Sequence, residues 1–274
     1  MGLLSDMQHS SHERVRAARA RVPEGTLHAQ IAASPLPPPL TLAGRGFDLI
    51  AELKLRSPSQ GALSRQAEDP MSRLTAYARG GAAVVSVLTE PTRFDGSLEH
   101  LRLAADALRP LGVPVMRKDF LVDPYQVLEA RARGASGVLL ILRMVERECL
   151  MAMLDCAAEQ GLFVLLEAFD AADLEAAGTI AAERRGRQEQ VLMGVNCRNL
   201  ETLAIDPRRF DALREQLPDG WPSVAESGVE KARDAAAVAA LGYRLALVGT
   251  SLMKRKDAER ATAELLEAGR RAVA

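Results

Sequence analysis

From about residue 46 onward, the sequence alternates regularly between short apolar runs and helix-like stretches. The runs have strand length and are continuous, which is typical of parallel strands buried on both faces. Eight runs are found: 47–53, 82–88, 113–116, 137–142, 163–166, 191–195, 223–225 and 245–248. The stretches between and after them predict helices over 69–80, 97–109, 124–133, 145–160, 170–184, 206–217, 230–241 and 256–272. Because strands that alternate with helices form parallel sheets with right-handed crossovers, the sequence predicts an α/β fold.

The number of strand–helix units indicates how the sheet is closed. Eight units in a chain of 274 residues favour a (β/α)₈ TIM barrel, which typically needs about 250 residues. A doubly wound open sheet stays an alternative, because strand count alone does not prove closure. The first strand–helix turn carries no GxGxxG fingerprint, which weighs against a dinucleotide-binding unit. We therefore expect a catalytic barrel over residues 46–274.

Residues 1–45 differ from the rest of the chain and predict an N-terminal extension. Segment 11–22 has the composition of a short basic amphipathic helix. Prolines at positions 35, 37, 38 and 39 follow it. Because proline breaks helices and favours extended backbone, we expect an extended tether between this helix and the barrel.

Composition excludes several classes of protein. The net charge of −1 provides no overall field for nucleic acid or an anionic membrane, so neither is an expected partner. Cys149, Cys156 and Cys197 form no CxxC pair, which disfavours a disulfide or a zinc site. We expect Cys149 and Cys156 to pack in the core. No run of 18 apolar residues and no signal-peptide pattern is found, so the expected location is the cytoplasm.

Polar residues recur where the apolar runs end. In a barrel the C-terminal ends of the strands form the rim that carries the active site, whereas the opposite rim is structural. A barrel selected for stability alone has little reason to collect lysines and glutamates at these points. The candidate catalytic residues are Glu52, Lys54, Lys118, Glu167, Asn196 and Glu226.

The spacing of these residues indicates acid–base chemistry. Glu52 and Lys54 are two apart, so on a strand both side chains can point into the barrel. A neighbouring carboxylate favours the charged form of a lysine, whereas burial favours the neutral form. A lysine under both influences can donate a proton. Lys118 is a second candidate acid on another strand. Glu167 follows the fifth run, across the ring from the first, and is a candidate base.

Two small turns predict a phosphate site. Ser227 and Gly228 follow the seventh run, and Gly249 and Thr250 follow the eighth. Barrels often bind phosphate with the loops after these two strands, using backbone N–H groups and a helix N-terminus. Ser57, after the adjacent first run, could add a hydroxyl group.

At these residues the chain resembles the indole-3-glycerol-phosphate synthase family. The similar motifs extend in order over roughly residues 47–255. They are IAELKLRSPS at 50–59, SVLTE at 86–90, FDGS at 94–97, PVMRKDF at 114–120, DPYQ at 123–126, GVNCRNL at 194–200, AESG at 225–228 and LVGTSLM at 247–253. The chain departs from the familiar pattern at Leu55, Arg93, Ala168 and Cys197.

The resemblance implies a reaction in tryptophan biosynthesis that closes an indole ring. The family acts on 1-(2-carboxyphenylamino)-1-deoxyribulose 5-phosphate, with loss of carbon dioxide and water. By resemblance, Lys118 is the general acid at the carbonyl and Lys54 lies near the substrate carboxylate and serves dehydration. Glu167 is the base, and Glu52 orients the lysines. The reaction needs no redox step or electron sink, so neither a cofactor nor a metal is expected.

The resemblance also implies a binding role for further residues, and an N-terminal segment that helps to cover the site. Asn196 and Glu226 would hold the sugar hydroxyls and the polar network. The phosphate would contact Ser57, Ser227, Gly228, Gly249 and Thr250. The aryl ring would lie among Pro58, Phe94, Phe120, Leu139, Leu140 and Leu200, although Leu139 and Leu140 could equally be ordinary core.

Two alternatives remain beside this interpretation. A sugar-phosphate isomerase barrel of the phosphoribosylanthranilate type uses a Cys/Asp pair, which the lysine-rich rim fits poorly. A non-catalytic phosphate-ligand-binding paralogue would need only the glycine turns and an apolar wall, so Glu52, Lys54, Lys118 and Glu167 together argue against it. The expected partner is a small phosphorylated substrate, and other tryptophan-pathway enzymes are further candidate partners.

Overall fold

A computed structural model of the protein describes residues 2–44, 46–57, 61–62 and 69–274. Eight parallel strands close into a barrel. They are β1 Asp48–Leu53, β2 Val84–Leu88, β3 Val115–Lys118, β4 Gly137–Ile141, β5 Phe163–Ala168, β6 Val191–Asn196, β7 Ser223–Glu226 and β8 Leu245–Val248. Each overlaps one of the eight predicted runs, so the barrel prediction is confirmed and the open-sheet alternative is wrong.

Closure of the barrel is visible in the strand register. β1 pairs in parallel with β2, with Ile50 opposite Val84, and also with β8, with Asp48 opposite Leu245. The remaining strands pair in chain order around the ring. As a result all eight C-terminal strand ends meet at one rim.

Helices surround the strands, and every predicted helix of the barrel is present. Their bounds are α3 Pro70–Arg79, α4 Pro91–Phe94, α5 Leu98–Leu108, α6 Pro124–Ala132, α7 Arg147–Glu159, α8 Ala171–Glu183, α9 Arg208–Leu213, α10 Ala232–Ala240, α11 Thr250–Lys254 and α12 Ala258–Arg271. The predicted helix at 206–217 is shorter, because α9 passes into a 3₁₀ turn over Arg214–Gln216.

Several helices begin with an acidic cap followed by proline. The Asp69 carboxylate accepts hydrogen bonds from the first-turn N–H groups of α3, and Asp123 does the same for α6. A carboxylate satisfies N–H groups that have no partner within the helix, and proline at the first position needs no such partner. Glu90 caps α4 in the same manner. These local signals fix where the helices begin after β1, β2 and β3.

Alternation along the strands divides the core into two layers. One cluster fills the barrel interior and includes Ile50, Met116 and Leu165, whereas the residues beside them face the surrounding helices. Side chains two apart on a strand point to the same face. Glu52, Lys118 and Glu167 therefore stand at the C-terminal ends of interior rows. The same periodicity that builds the core aims these polar side chains into the mouth of the barrel.

The N-terminal extension is more helical than the sequence suggested. α1 covers Leu3–Arg21 and α2 covers Glu24–Ala33, so the predicted helix begins eight residues earlier than expected and the second helix was missed. The proline-rich segment is non-helical, as predicted. α2 packs against α6, and Leu40 is buried in the interior cluster, with its carbonyl accepting a hydrogen bond from Gln190. The boundary between residues 45 and 46 stays a prediction.

The cysteines are all free. Cys149 and Cys156 lie half-buried on α7 and donate to the carbonyls of Val122 and Pro124, so they pack at the edge of the core. Burial raises the pKa of the Cys197 thiol to about 12. Within the described ranges, no helix has both the length and the apolar character required to cross a membrane.

Candidate active site

The polar strand ends open into one cavity at the C-terminal rim of the barrel. Its volume is about 150 Å³. All six candidate catalytic residues line it: Glu52, Lys54, Lys118, Glu167, Asn196 and Glu226. The sequence thus predicted correctly which strand ends converge, while the roles of these residues stay predictions.

Lys118 is the centre of the polar cluster. Its Nζ lies 3.3 Å from Oε2 of Glu226 and 3.7 Å from Oε1 of Glu167. Both carboxylates are almost wholly buried, and the lysine side chain is 17% exposed. A cation on β3 therefore bridges two acids that reach it from β5 and β7, across the interior of the barrel.

The protonation of this cluster follows from burial and charge. Burial alone would lower the pKa of Lys118, but the carboxylates of Glu167, Glu226 and Glu52 outweigh it and raise that pKa above its usual value. Burial raises the pKa of Glu226 to about 8, and the charge of Glu167 adds to this effect, while Lys118 opposes it. Lys118 is therefore held as an ammonium ion, which is a proton donor.

A second lysine–glutamate pair lies at the end of β1. Lys54 Nζ is 2.8 Å from Oε1 of Glu52, and both side chains are largely buried. The two residues share the inward face of the strand, as their spacing predicted. Beside the Lys118 cluster, this pair gives the cavity a second ammonium donor.

Asn196 connects the fifth and sixth strands. Its side-chain amide donates to Oε1 of Glu167 at 2.6 Å, and its Oδ1 accepts from the backbone N–H of Arg198 at 2.9 Å. Both bonds orient the amide so that its N–H group meets the carboxylate. Glu167 is thereby held between the Asn196 amide and the Lys118 ammonium group.

The two predicted glycine turns line the same cavity. Ser227 and Gly228 have φ angles of 65° and 83°. A positive φ is uncommon outside glycine, so Ser227 is held in an unfavourable conformation that turns the chain sharply at the rim. Gly249 directly precedes α11, and Thr250 is its first residue. All four line the cavity.

Two residues predicted to contact the substrate, Ser57 and Pro58, have side chains outside the described part of the structure. Ser57 belongs to a short strand, Arg56–Ser57, that pairs with Gly61–Ala62 outside the barrel. Its side chain, and Pro58 entirely, lie outside the described residues. Their predicted contacts with phosphate and aryl ring stay predictions.

The apolar wall contains four of the six predicted aryl contacts. Phe94, Phe120, Leu139 and Leu200 line the cavity, and the rings of Phe94 and Phe120 lie 6.2 Å apart. Leu140 does not line it. As the neighbour of Leu139 on β4, it points to the opposite face of the strand and packs between barrel and helices. Its assignment to the cavity was wrong, because adjacent strand residues cannot share a face.

The cavity also contains residues that sequence reasoning did not assign. Arg198 lines it and donates to the carbonyl of Leu203 at 2.8 Å. Because Arg198 follows Asn196 by two residues, its place at the same strand end could have been predicted from the sequence. Phe169 lines the cavity beneath the guanidinium of Arg143, which lies 5.3 Å from the ring centre. Leu3 comes from the extension, and no local sequence pattern indicates that it lines the site.

The first helix reaches the rim through contacts with the segments that follow β3 and β4. Ser11 Oγ donates to the carbonyl of Phe120 at 2.5 Å, and Gln8 donates to the carbonyl of Met144 at 2.7 Å. Gln126 in turn donates to Ser11 Oγ at 3.0 Å. Because Leu3 of the same helix lines the cavity, α1 covers part of its mouth, as the resemblance implied.

Glu52, Glu167 and Glu226 each contact a lysine. In the part of the chain that the structure describes, no group of three or more His, Cys, Asp or Glu side chains is arranged to hold a metal ion. The arrangement can donate protons from two ammonium groups, accept them at carboxylates, and receive an anion at the glycine turns.

Fold and site together define a (β/α)₈ barrel with a lysine–glutamate centre at its C-terminal rim. A sequence model of the family described as indole-3-glycerol phosphate synthase matches residues 4–265. The chain is 40% identical over 269 residues to the indole-3-glycerol phosphate synthase of Micrococcus luteus, covering 95% of this chain and 96% of that one. It is 44% identical to that of Kineococcus radiotolerans over 82% of this chain and 78% of the relative. The protein belongs to the indole-3-glycerol phosphate synthase family.

Solved structures of lower identity share the fold. The 3-hexulose-6-phosphate synthase of Salmonella typhimurium superposes with a TM-score of 0.63 at 12% identity, covering 81% of this chain and 98% of that chain. Thiamine phosphate pyrophosphorylase from Pyrococcus furiosus gives 0.59 at 16% identity, over 83% and 98% of the chains. At such identities the likeness concerns the barrel alone.

Proposed function

We propose that the protein is an indole-3-glycerol-phosphate synthase, a carboxy-lyase of tryptophan biosynthesis. Its substrate would be 1-(2-carboxyphenylamino)-1-deoxyribulose 5-phosphate, which it closes to indole-3-glycerol phosphate with loss of carbon dioxide and water. The observation that carries the proposal is Lys118, held between Glu167 and Glu226 at the mouth of the barrel. Family membership supports the same reaction.

Ring closure needs an acid at the ribulosyl carbonyl. The ring carbon that bears the carboxylate attacks the carbonyl carbon, and Lys118 transfers a proton to the carbonyl oxygen as the C–C bond forms. Its pKa above the usual value keeps the ammonium form available. A preorganised ammonium group in a buried site stabilises the developing negative charge by several kcal/mol.

Decarboxylation and dehydration complete the reaction. When the bond to the carboxylate breaks, its electron pair restores the aromatic ring. The new hydroxyl group then leaves as water with a proton from Lys54, while Glu167 accepts the proton that the five-membered ring releases. Glu52, 2.8 Å from Lys54, orients that lysine. Acid and base on different strands are each held by a rigid scaffold.

Binding folds the flexible substrate into the geometry for attack. Backbone N–H groups at Ser227, Gly228, Gly249 and Thr250 would bind the phosphate. The aryl ring would pack against Phe94, Phe120, Leu139 and Leu200. Holding the substrate at both ends brings the reacting carbons together and lowers the entropic part of the barrier. Asn196 and Glu226 would bind the sugar hydroxyls between these anchors.

We place the protein in the cytoplasm as part of the same proposal, since its three cysteines are free, which suits a reducing compartment. Other enzymes of the tryptophan pathway are candidate partners. The rim contacts made by α1 support treating residues 1–45 as an extension that completes the site over a barrel of residues 46–274.

The proposal is tested with purified protein and the carboxyphenylamino-deoxyribulose phosphate, with indole fluorescence as the readout. We expect product from the wild type, and a loss of kcat by orders of magnitude in Lys118→Met. The matched control is Lys256→Met, because Lys256 is an exposed lysine away from the cavity. Substrate that binds but gives no product even at high protein concentration would indicate a phosphate-ligand binder instead. Near-normal turnover in Lys118→Met would remove the assigned role of that lysine.

A further inference from the structure

Two glycines of the barrel stand where any side chain would strike a carboxylate of the site. A Cβ atom on Gly194 would lie 2.1 Å from Oε1 of Glu226, and one on Gly249 would lie 2.3 Å from Oε1 of Glu52. Real Cβ atoms essentially never approach so closely. Each glycine therefore leaves a notch that a carboxylate from a neighbouring strand fills.

Backbone conformation does not explain the glycine at position 194. Gly194 lies within β6 and has no positive φ, so an L-residue could adopt its backbone without strain. In this it differs from Gly228, whose φ of 83° favours glycine. What requires glycine at 194 is space inside the barrel, where a larger residue would overlap the carboxyl group of Glu226.

The notch at Gly194 determines where that carboxyl group can lie. Glu226 is 1% exposed and enters the space over β6 that an inward side chain would otherwise occupy. There its Oε2 lies 3.3 Å from Lys118 Nζ, while Oε1, beside Gly194, has no hydrogen-bond partner among the described residues. The position of Glu226 against Lys118 therefore depends on the absence of a Cβ atom at position 194.

We propose that Gly194 is a positioning residue, whose missing side chain holds Glu226 against the acid Lys118. This inference rests on the proposed function, because it assigns a role in that reaction. A methyl group at 194 pushes the Glu226 carboxyl away from β6 and changes its contact with Lys118. The glycine turns and the aryl wall are left in place, so we expect kcat to fall by a larger factor than KM rises.

The principal test is Gly194→Ala, with Gly178→Ala as its matched control. Gly178 lies in α8, and a Cβ there would meet nothing within 4 Å. We expect kcat of Gly194→Ala to fall at least tenfold, with KM rising by a smaller factor, and the pH profile of kcat to shift. Gly178→Ala should match the wild type in all three. A Gly194→Ala protein with kcat within twofold of the wild type would overturn the proposal.

A second variant separates the Glu226 contact from general damage to the barrel. In Glu226→Asp the carboxyl is shorter by one methylene, about 1.5 Å, and withdraws from position 194. Gly194→Ala should therefore cost much less in the Glu226→Asp background than in the wild type. Equal losses in both backgrounds would overturn the proposal. The proposal would also be overturned if Gly194→Ala destabilised the protein equally with and without Glu226→Asp. The loss would then come from the contact of the added Cβ with Leu165, 3.1 Å away.

The role of Gly194 can also be tested if the proposed function is wrong. If the wild type makes no indole product, the assay cannot report on Gly194, but the unfolding midpoint between pH 5 and pH 9 still does. Displacing Glu226 changes the pH dependence of stability in Gly194→Ala and leaves that of Gly178→Ala unchanged. Parallel pH profiles for the two glycine variants would overturn the role of Gly194 whether or not the reaction is correct.

Discussion

Arg14 donates two hydrogen bonds, of 2.9 and 2.8 Å, to the carboxylate of Asp119, the residue directly after Lys118. Asp119 is fully buried and also accepts from Thr89 Oγ1 at 2.7 Å and from Arg117 at 3.2 Å. Burial would raise the pKa of Asp119, but these cations and donors hold it well below its usual range. The first helix of the extension is thus bonded to the strand end that carries the acid.

The first prediction concerns this bidentate pair. Arg14→Gln should lower the free energy of unfolding by about 1.5–3 kcal/mol, because hydrogen bonds to a charged group are lost while Asp119 stays buried. Chemical denaturation followed by circular dichroism measures the change. Arg16→Gln is the control, since Arg16 is an exposed arginine on the same helix. Equal denaturation midpoints for the two variants would show that the pair does not anchor α1.

Much of the barrel could be predicted because the information is local. Continuous apolar runs mark strands buried on both faces, and Asp69 and Asp123, each before a proline, mark helix starts. The extension was harder to predict. α1 has only a few buried residues, such as Met7 and Val15, and its stability comes from packing on the loop after β3. No sequence pattern within residues 1–33 indicates the surface on which α1 packs.

The site was predictable to the extent that chain order determines it. Residues at the C-terminal ends of parallel strands must share a rim, so Lys118 and Glu167 could be brought together without coordinates. Which side chain points inward depends on strand register, and Leu140 was assigned to the cavity together with Leu139 although the two point to opposite faces of the strand. The notch at Gly194 could not be predicted, because it depends on the distance between two strands.

The second prediction uses the contrast between Leu139 and Leu140. Leu140→Ala should destabilise the protein by about 2–5 kcal/mol through the cavity it leaves, with KM unchanged. Leu139→Ala should also destabilise, but it removes part of the cavity wall and should raise KM for the substrate. Steady-state kinetics on the two folded variants, beside their thermal midpoints, checks this. A KM increase in Leu140→Ala alone would contradict the assigned strand faces.

The third prediction is a pH dependence of stability that arises from Glu226. Its pKa in the folded protein is about 8, far above the value of about 4.3 for an unperturbed glutamate. Between these values the folded protein holds a proton that the unfolded chain has released. The free energy of unfolding therefore falls as pH rises through this window.

Replacing Glu226 by glutamine should remove this loss. Relative to the wild type, Glu226→Gln should gain stability from pH 5 to pH 8, by up to about 4 kcal/mol, since each of these three pH units corresponds to about 1.4 kcal/mol. Urea denaturation at several pH values measures the difference. Glu175→Gln, at an exposed position on α8, provides the control. If the gap between Glu226→Gln and wild type stays constant with pH, Glu226 is ionised throughout the window.

The last prediction compares two buried arginines, Arg131 and Arg184. Arg184 donates to Asp155 at 2.9 Å and forms two further bonds to Glu189. Arg131 is 3% exposed, and its buried Nη1 has no hydrogen-bond partner among the described residues. Burial lowers the pKa of Arg131, and the nearby charge of Arg109 lowers it further. Among the described residues Arg131 therefore has no counter-ion to offset the cost of its burial, whereas the charge of Arg184 is offset by Asp155 and Glu189.

Substitution by methionine should have opposite effects at these two positions. Arg131→Met keeps an apolar chain of similar length and removes an uncompensated buried charge, so it should leave the protein equally stable or more stable, by up to about 1–4 kcal/mol. Arg184→Met leaves buried Glu189 without its partner and should cost about 3–5 kcal/mol. Thermal and urea unfolding of both variants decides between these outcomes. A comparable loss of stability in Arg131→Met would show that its guanidinium has a stabilising partner in solution.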